Sequence, residues 1–319
     1  DTSFSVQLAP SDPQVYQVFG VLCARGSLEH KTVQVALHGA TYGHLYWDFP
    51  FQPPFYSYTR FATDAGYAVL AIDRIGIGRS DHPPSAAVDI AANAFVVHQI
   101  VQTLRGGDLV VPSFGRVRAR RVALVGHSLG SAISIQEAAT YGDVDGVVLT
   151  GVSHNVTPAL GDVSFYPANL DPRFAGEGLD DGYITTTPGT RTIFYAGLFD
   201  PRILPVDEAN KETVTLAELG TAVASLGFSS GVHAPVLSLV GDLDAAFCNP
   251  PSCTASGSLA SEASFYPADA CAEVHAIPET GHDLNLHLSA PLTFLAIQEW
   301  MDRRVGSDTR LLAPEPCRP

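Results

Sequence analysis

The stretch Arg121-Val-Ala-Leu-Val-Gly-His-Ser-Leu-Gly-Ser-Ala132 decides the fold of this chain. Residues 122–125 form a short β-rich apolar run that suits a buried strand, and residues 131–140 are Ala-rich and compatible with a helix. Between them, residues 126–130 fit the pattern G-x-S-x-G. A strand, a tight turn and a helix form the context in which this pattern makes a nucleophile elbow. The stretch therefore predicts that Ser128 stands on a sharp turn at the end of a strand.

Steric constraints explain the two glycines of the motif. A serine on such a turn has a strained backbone, so its neighbours two residues away must be small, as Gly126 and Gly130 are. The N-terminus of the following helix would favour negative charge that develops near Ser128 Oγ. A Gly-Ser turn without chemical meaning is the alternative, and the flanking strand and helix argue against it.

Short apolar segments recur along the chain with helical stretches between most of them. They begin near Val33, Val69, Val122, Val147 and Val236. This alternation predicts an α/β fold with a mostly parallel sheet and helices on both faces. Residues 15–23 could form a first strand, residues 274–277 a last strand and residues 291–304 the last helix.

The alternation breaks between residues 152 and 232. This part is rich in Gly, Pro and Thr at first and helical from about Pro205 to Leu226. We interpret it as a cap inserted over the active site. The core would then comprise residues 15–151 and 233–305, after a loose lead-in over residues 1–14 and before an extended tail over residues 306–319.

Composition limits the class of protein. A chain of 319 residues with 46% hydrophobic residues can form one large domain with an insertion, or two small domains. The net charge of −15 argues against nucleic acid and anionic membrane surfaces as partners. No apolar run reaches the length of a membrane span.

The cysteines favour an exported protein with disulfides over a cytosolic protein with reduced thiols. They show no metal-site spacing and no convincing Cys–His pair, and their pairing is left open. The first residue is Asp1 rather than Met, which agrees with a removed leader or a trimmed chain. The five cysteines are Cys23, Cys248, Cys253, Cys271 and Cys317.

A serine nucleophile needs a base, and the base needs an orienting carboxylate. The loop after the strand at residues 236–240 carries Asp242 and Asp244, and the loop after residues 274–277 carries Gly281-His282-Asp283. The order Ser128, Asp244, His282 is the one expected for this kind of sheet. Asp244 is favoured over Asp242 because it lies further into the loop.

Among the histidines near the end of the chain, His282 is favoured as the base because it follows Gly281 on the expected loop. His275 lies within the last strand and His287 lies five residues beyond His282, and both are interpreted as structural.

The oxyanion requires two N–H donors. One is expected from Leu129, directly after the nucleophile. The other is expected from the turn after residues 33–37, at Ala40, with Thr41 as second choice, where Gly39 lets the backbone approach closely.

An aromatic loop follows this turn, over residues 42–58. It could line an apolar substrate pocket, pack as a support for the cap, or do both. Tyr46 and Trp47 are the expected substrate contacts, with His127 of the motif as a further candidate. The loop Asp73–Ser80 contains Gly76 and Gly78 but departs from G-x-G-x-x-G, so it is interpreted as a structural loop at a strand end and not as a dinucleotide site. No cofactor or metal is expected, because the chemistry of a serine, a histidine and an aspartate needs none.

Taken together, these motifs resemble the α/β-hydrolase superfamily of serine hydrolases. The resemblance rests on His38-Gly39, the loop Asp73–Ser80, Gly126–Gly130, Gly241-x-x-Asp244 and Gly281-His282, in family order. It implies an eight-stranded, mostly parallel sheet, a cap after the sixth strand and esterase-like chemistry.

The leading hypothesis is an exported hydrolase of an apolar ester, a lipid ester or a lactone. The alternatives are amide, thioester or C–C bond hydrolysis or acyl transfer with the same residues, and, from another class, a non-catalytic binding protein.

Overall fold

An eight-stranded sheet forms the centre of the molecule. The computed structural model describes residues 1–248, 253–254 and 256–310. The strands of the sheet are β1 (Thr2–Val6), β2 (Tyr16–Ala24), β3 (Val33–Leu37), β4 (Ala68–Ile72), β7 (Val122–His127), β8 (Gly146–Thr150), β12 (Val236–Gly241) and β13 (Glu273–Ile277). Across the sheet they lie in the order β1-β2-β4-β3-β7-β8-β12-β13.

The sheet is parallel from β4 to β13, whereas β2 runs antiparallel to both of its neighbours, β1 and β4. Strands β3, β4, β7, β8 and β12 are buried at every residue. Burial on both faces explains why these strands appear in the sequence as continuous apolar runs instead of alternating ones. The predicted α/β fold with an eight-stranded, mostly parallel sheet is confirmed.

Helices cover the sheet and fill the connections. They are α1 (Pro53–Tyr56), α2 (Tyr58–Asp64), α3 (Ile90–Gly106), α4 (Leu129–Tyr141), α5 (Ile203–Ala209), α6 (Leu216–Ser225) and α7 (Ala290–Arg304). The N-cap of α3 is Asp89, whose side chain accepts a hydrogen bond from Ala92 N–H. None of the helices in the described residues is long and apolar enough to cross a membrane.

The segment between β8 and β12, the sixth and seventh strands of the sheet, carries the insertion. It contains a small sheet of β9 (Phe165–Pro167), β10 (Tyr183–Thr186) and β11 (Val214–Thr215), together with α5 and α6. The single helical stretch expected over residues 205–226 is therefore two helices separated by β11. The break coincides with a capping box at the start of α6, in which Thr215 and Glu218 bond reciprocally.

The first residues depart from the expected loose lead-in. Thr2–Val6 pairs with β2 as an edge strand, because Phe4 and Val6 alternate with polar residues and turn inward to the core. The expected loop over residues 106–120 likewise contains a hairpin, of β5 (Leu109–Val111) and β6 (Gly115–Val117).

Of the cysteines, Cys248 and Cys253 form a disulfide with their Cα atoms 5.4 Å apart, Cys271 is also disulfide-bonded, and Cys23 is a free thiol. Cys317 and most of the tail expected to be extended lie outside the described residues.

A buried ion pair fastens the insertion to the core. The guanidinium of Arg74, in the loop after β4, donates to the carboxylate of Glu218 in α6, and both side chains are almost fully buried. The amide of Asn93 in α3 donates to the same carboxylate at 3.1 Å. The loop Asp73–Ser80 thus has a structural role in docking α6.

Candidate active site

The carboxyl ends of four parallel strands bring the expected residues to one edge of the sheet. Ser128 follows β7, Ala40 lies beyond β3, Asp244 follows β12 and His282 follows β13. The next two strands along the chain after β3, which are β4 and β7, lie on opposite sides of it in the sheet. A crevice at such a switch point is where open α/β sheets bind ligands.

The turn at Ser128 has the strained geometry of an elbow. Ser128 has φ 51° and ψ −117°, a positive φ that is rare for a residue with a side chain. A Cβ atom at Gly126 would lie 2.6 Å from the backbone carbon of Gly130, so the turn closes only with glycine there. Ser128 N–H donates to Thr150 O at 2.8 Å, which ties the elbow to β8.

His282 lies between Ser128 and Asp244. Its Nε2 is 2.8 Å from Ser128 Oγ, and its Nδ1 is 2.8 Å from Asp244 Oδ2. The other oxygen of Asp244 accepts hydrogen bonds from the N–H groups of Ala246 and Phe247, which fix the carboxylate. Both contacts of the imidazole are within hydrogen-bond reach, as a nucleophile, its base and an orienting acid require.

The competing acid and bases have other partners. Asp242 accepts from Thr280 N–H at 3.1 Å. His287 is buried, and its Nε2 accepts from Gly281 N–H at 3.0 Å while its Nδ1 donates to Asp283 O. His275 lies in β13 beside Leu239. The geometry therefore brings Asp244 and His282 to Ser128.

Opposing effects set the pKa of His282. Burial lowers it, but the charge and hydrogen bond of Asp244, with a smaller contribution from the charge of Asp283, hold the pKa above its usual value. The carboxylates thus stabilise the imidazolium that would form when the imidazole takes a proton.

The backbone beside Ser128 has room for an oxyanion. Leu129 is the first residue of α4, so its N–H has no partner within the helix. Gly39 and Ala40 lie in the cavity wall with Ser128. A Cβ at Gly39 would lie 3.1 Å from Ser128 Cβ, so glycine permits the close approach of this turn.

A buried network that the sequence did not predict lies behind these residues. His127 Nε2 is 3.1 Å from Asp283 Oδ1, and Tyr42 donates its hydroxyl proton to the other oxygen of Asp283. Arg191, from the insertion, stacks 4.3 Å above the Tyr42 ring and forms a bidentate pair with Asp207. Burial lowers the pKa of His127 against the opposing effect of Asp283.

The aromatic loop contributes a different residue to the cavity than expected. Tyr46 and Trp47 are buried and do not line the cavity beside Ser128, so the expectation that they contact substrate there is corrected. Tyr46 stacks on His127 at 4.3 Å, and Trp47 packs edge-on against Tyr46. Tyr42 lies in the lining instead, as does His127.

A cavity of about 490 Å³ opens beside Ser128. Among the described residues that line it there is no Asp, Glu, Lys or Arg, and the polar side chains are Tyr42, His127, Ser128, Thr157 and His282. Most of the remaining wall is apolar and comes from the insertion. The insertion residues in the lining are Val152, Val156, Thr157, Pro158, Leu160, Gly161, Val163, Phe165, Phe194, Leu219, Ala222, Val223 and Leu226.

Known structures share this architecture. A thermophilic esterase from Thermogutta terrifontis is 18% identical with a TM-score of 0.60, over 94% of this chain and 98% of the other. Est1E from Butyrivibrio proteoclasticus, solved with ferulic acid, is 17% identical with a TM-score of 0.56, over 95% and 100% of the two chains. At such identities the likeness concerns the fold alone.

At the level of sequence, no curated protein matches the chain. A model of the alpha/beta hydrolase family does match it, over residues 34–297. That range runs from β3 through the elbow and the insertion to α7, and so includes all four strand ends at the candidate site. The chain belongs to the alpha/beta hydrolase family.

Proposed function

We propose that this protein hydrolyses carboxylic esters through an acyl-enzyme on Ser128. The observation that carries the proposal is the pair of 2.8 Å contacts that His282 makes with Ser128 Oγ and Asp244 Oδ2. Such a connected series makes a serine hydroxyl nucleophilic.

In this mechanism Ser128 Oγ attacks the ester carbonyl while His282 Nε2 takes the hydroxyl proton. Asp244 holds the imidazole so that Nε2 faces the serine, and it stabilises the imidazolium. The tetrahedral intermediate collapses when the proton passes to the departing alcohol oxygen. Water then attacks the acyl-enzyme by the same route and releases the acid.

The oxyanion of both tetrahedral intermediates would be held by the N–H groups of Leu129 and Ala40. Leu129 lies at the start of α4, whose dipole favours negative charge there. Preorganised donors of this kind are worth about 3–4 kcal/mol of transition-state stabilisation each.

The substrate is proposed to be an uncharged ester with an apolar acyl group. The part of the cavity wall that the structure describes contains no Asp, Glu, Lys or Arg to pair with a charged substrate, and it is mostly aliphatic. Residues 152–232 act as the cap in this proposal because they supply the larger part of that wall. A volume of about 490 Å³ suits a medium-length acyl chain better than a whole triacylglycerol.

The proposal is tested with a fluorophosphonate probe and a series of p-nitrophenyl esters. We expect an adduct on the Ser128 peptide, and the highest kcat/KM for a medium-chain ester, above acetate and palmitate. Ser128→Ala should lose both labelling and turnover. Ser134→Ala is the matched control, because its hydroxyl donates to Gly130 O within α4 and does not reach His282.

The outcomes separate the alternatives. Folded protein that is not labelled would contradict Ser128 as nucleophile. Labelling without turnover of any ester would contradict the ester assignment and direct the search to amide, thioester, C–C or transfer chemistry.

We further propose that the protein works in an oxidising compartment. The Cys248–Cys253 disulfide and the bonded state of Cys271 support this, since disulfides persist mainly outside the cytosol. Thiol titration of the denatured, unreduced protein should find about one free thiol, that of Cys23. Five free thiols would refute the proposal.

A further inference from the structure

Three potential metal ligands meet between α3 and α4, away from the catalytic residues. His98 lies on α3, Glu137 on α4 and Asp143 just after α4. One ligand atom from each lies within 4.8 Å of the other two. A single point can therefore lie within about 2.8 Å of all three atoms, so that small side-chain movements would reach the ~2.0–2.2 Å of zinc coordination.

The buried carboxylate in this cluster lacks a donor. Glu137 has no exposed surface, and no N–H or O–H group of the described residues donates to either of its oxygens. Oδ1 of Asp143 is also buried without a partner, while Oδ2 accepts from Gln102 and lies 2.8 Å from His98 Nδ1. A fully buried carboxyl group without a partner is costly, and a cation is one way to remove that cost.

We propose that His98, Glu137 and Asp143 bind one divalent transition-metal ion, Zn²⁺ or one of similar size and preference. One imidazole nitrogen and two carboxylate oxygens are a donor set that suits zinc better than calcium or magnesium, which prefer oxygen alone. The side chains of His98 and Asp143 are 24% and 14% exposed, so the ion can enter from solvent and water can complete the coordination.

This site could not be predicted from the sequence, because its ligands are 39 and six residues apart and belong to no metal-binding motif. Only the packing of α3 on α4 brings them together. Since α4 begins directly after Ser128, an ion there would fix the helix that supports the elbow to its neighbour.

A shared proton is the competing explanation. Burial, and next the neighbouring Asp143, raise the pKa of Glu137 to about 10, so without a cation the carboxyl can remain protonated and donate to Asp143. Glu137→Gln separates the two explanations. The glutamine amide keeps the shape and a donor towards Asp143 but offers no anionic ligand.

The test is calorimetric titration of ZnCl₂ into protein that has been dialysed against EDTA, followed by measurement of Tm with and without the metal. We expect one Zn²⁺ per chain and a rise in Tm on binding. MgCl₂ and CaCl₂ should bind far more weakly. Both Glu137→Gln and His98→Ala should weaken zinc binding at least tenfold, with folding checked by circular dichroism.

Two control variants locate the ion. His282→Ala removes the catalytic His–carboxylate pair, and His233→Ala removes an exposed pair with Asp269. Both should bind zinc as the unmodified protein does. Absence of stoichiometric zinc binding to the unmodified protein would overturn the proposal, as would binding that persists in Glu137→Gln or disappears in His282→Ala.

Discussion

Nε2 of His127 lies 3.1 Å from Oδ1 of Asp283, and both side chains are fully buried. The contact joins the residue before Ser128 to the residue after His282. The rings of His127 and His282 are 5.1 Å apart, so the charge of Asp283 acts on both imidazoles. Of the two, His282 is the one that contacts Ser128 Oγ.

The first prediction concerns this carboxylate. The negative charge of Asp283 is one of the effects that raise the pKa of His282, after those of Asp244. Asp283→Asn removes the charge and should lower that pKa, so His282 stays an unprotonated base at lower pH. The acidic limb of the kcat/KM profile should therefore shift to lower pH.

Asp242→Asn is the control for this shift, because Asp242 bonds to Thr280 N–H instead of either imidazole. Its pH profile should keep the position found for the unmodified protein. A shift to higher pH in Asp283→Asn, or equal shifts in both variants, would contradict the proposed effect.

The second prediction tests whether Asp244 or Asp242 is the carboxylate that orients His282. Asp244→Asn keeps the shape but favours the wrong tautomer of His282, so kcat should fall on the order of 10⁴-fold. Asp242→Asn should change kcat little, since its partner is backbone. Steady-state kinetics on one ester decide between them, and the reverse ranking would transfer the role of the acid to Asp242.

The third prediction concerns the docking of the insertion. Glu218 is buried against Arg74 and Asn93. Glu218→Ala leaves a buried guanidinium without its carboxylate, and we expect a loss of about 3–5 kcal/mol in the free energy of unfolding. Denaturant titration measures it.

Asp64→Ala is the comparison, because it removes a partner from the exposed Arg25–Asp64 pair. Solvent screens that pair, so its loss should cost far less than the loss of Glu218. Similar costs for the two variants would show that Arg74 finds another partner or that α6 does not depend on this contact.

The fold was predictable from the sequence because its cues are local. Continuous apolar strands such as residues 33–37, and the glycines around Ser128, depend on neighbours a few residues away. The first strand was missed because it is short and partly exposed, with only Phe4 and Val6 buried in it.

The surroundings of the candidate site were less predictable, because side-chain directions in irregular loops depend on tertiary packing. Within one aromatic loop, Tyr42 lines the cavity while Tyr46 stacks behind His127. Asp283 stood beside His282 in the sequence, and an acid next to a candidate base was the signal that could have pointed to it. Its partner His127 lies 156 residues away.

The fourth prediction concerns the length of the acyl chain. Ala222 on α6 lines the cavity, whereas Ala224 on the same helix is exposed and outside the lining. Ala222→Phe places a ring in the space proposed for the acyl chain. We expect kcat/KM for octanoate to fall at least tenfold and that for acetate to change little, because only the longer chain reaches α6.

Ala224→Phe makes the same chemical change on the solvent side of that helix, so both values of kcat/KM should stay near those of the unmodified protein. The ratio of kcat/KM for the octanoate ester to kcat/KM for the acetate ester therefore reports the shape of the cavity. It is independent of the amount of active enzyme. If Ala222→Phe lowers kcat/KM equally for both esters, the helix has moved or the acyl chain lies elsewhere. If both variants leave the ratio unchanged, the acyl chain does not extend along α6.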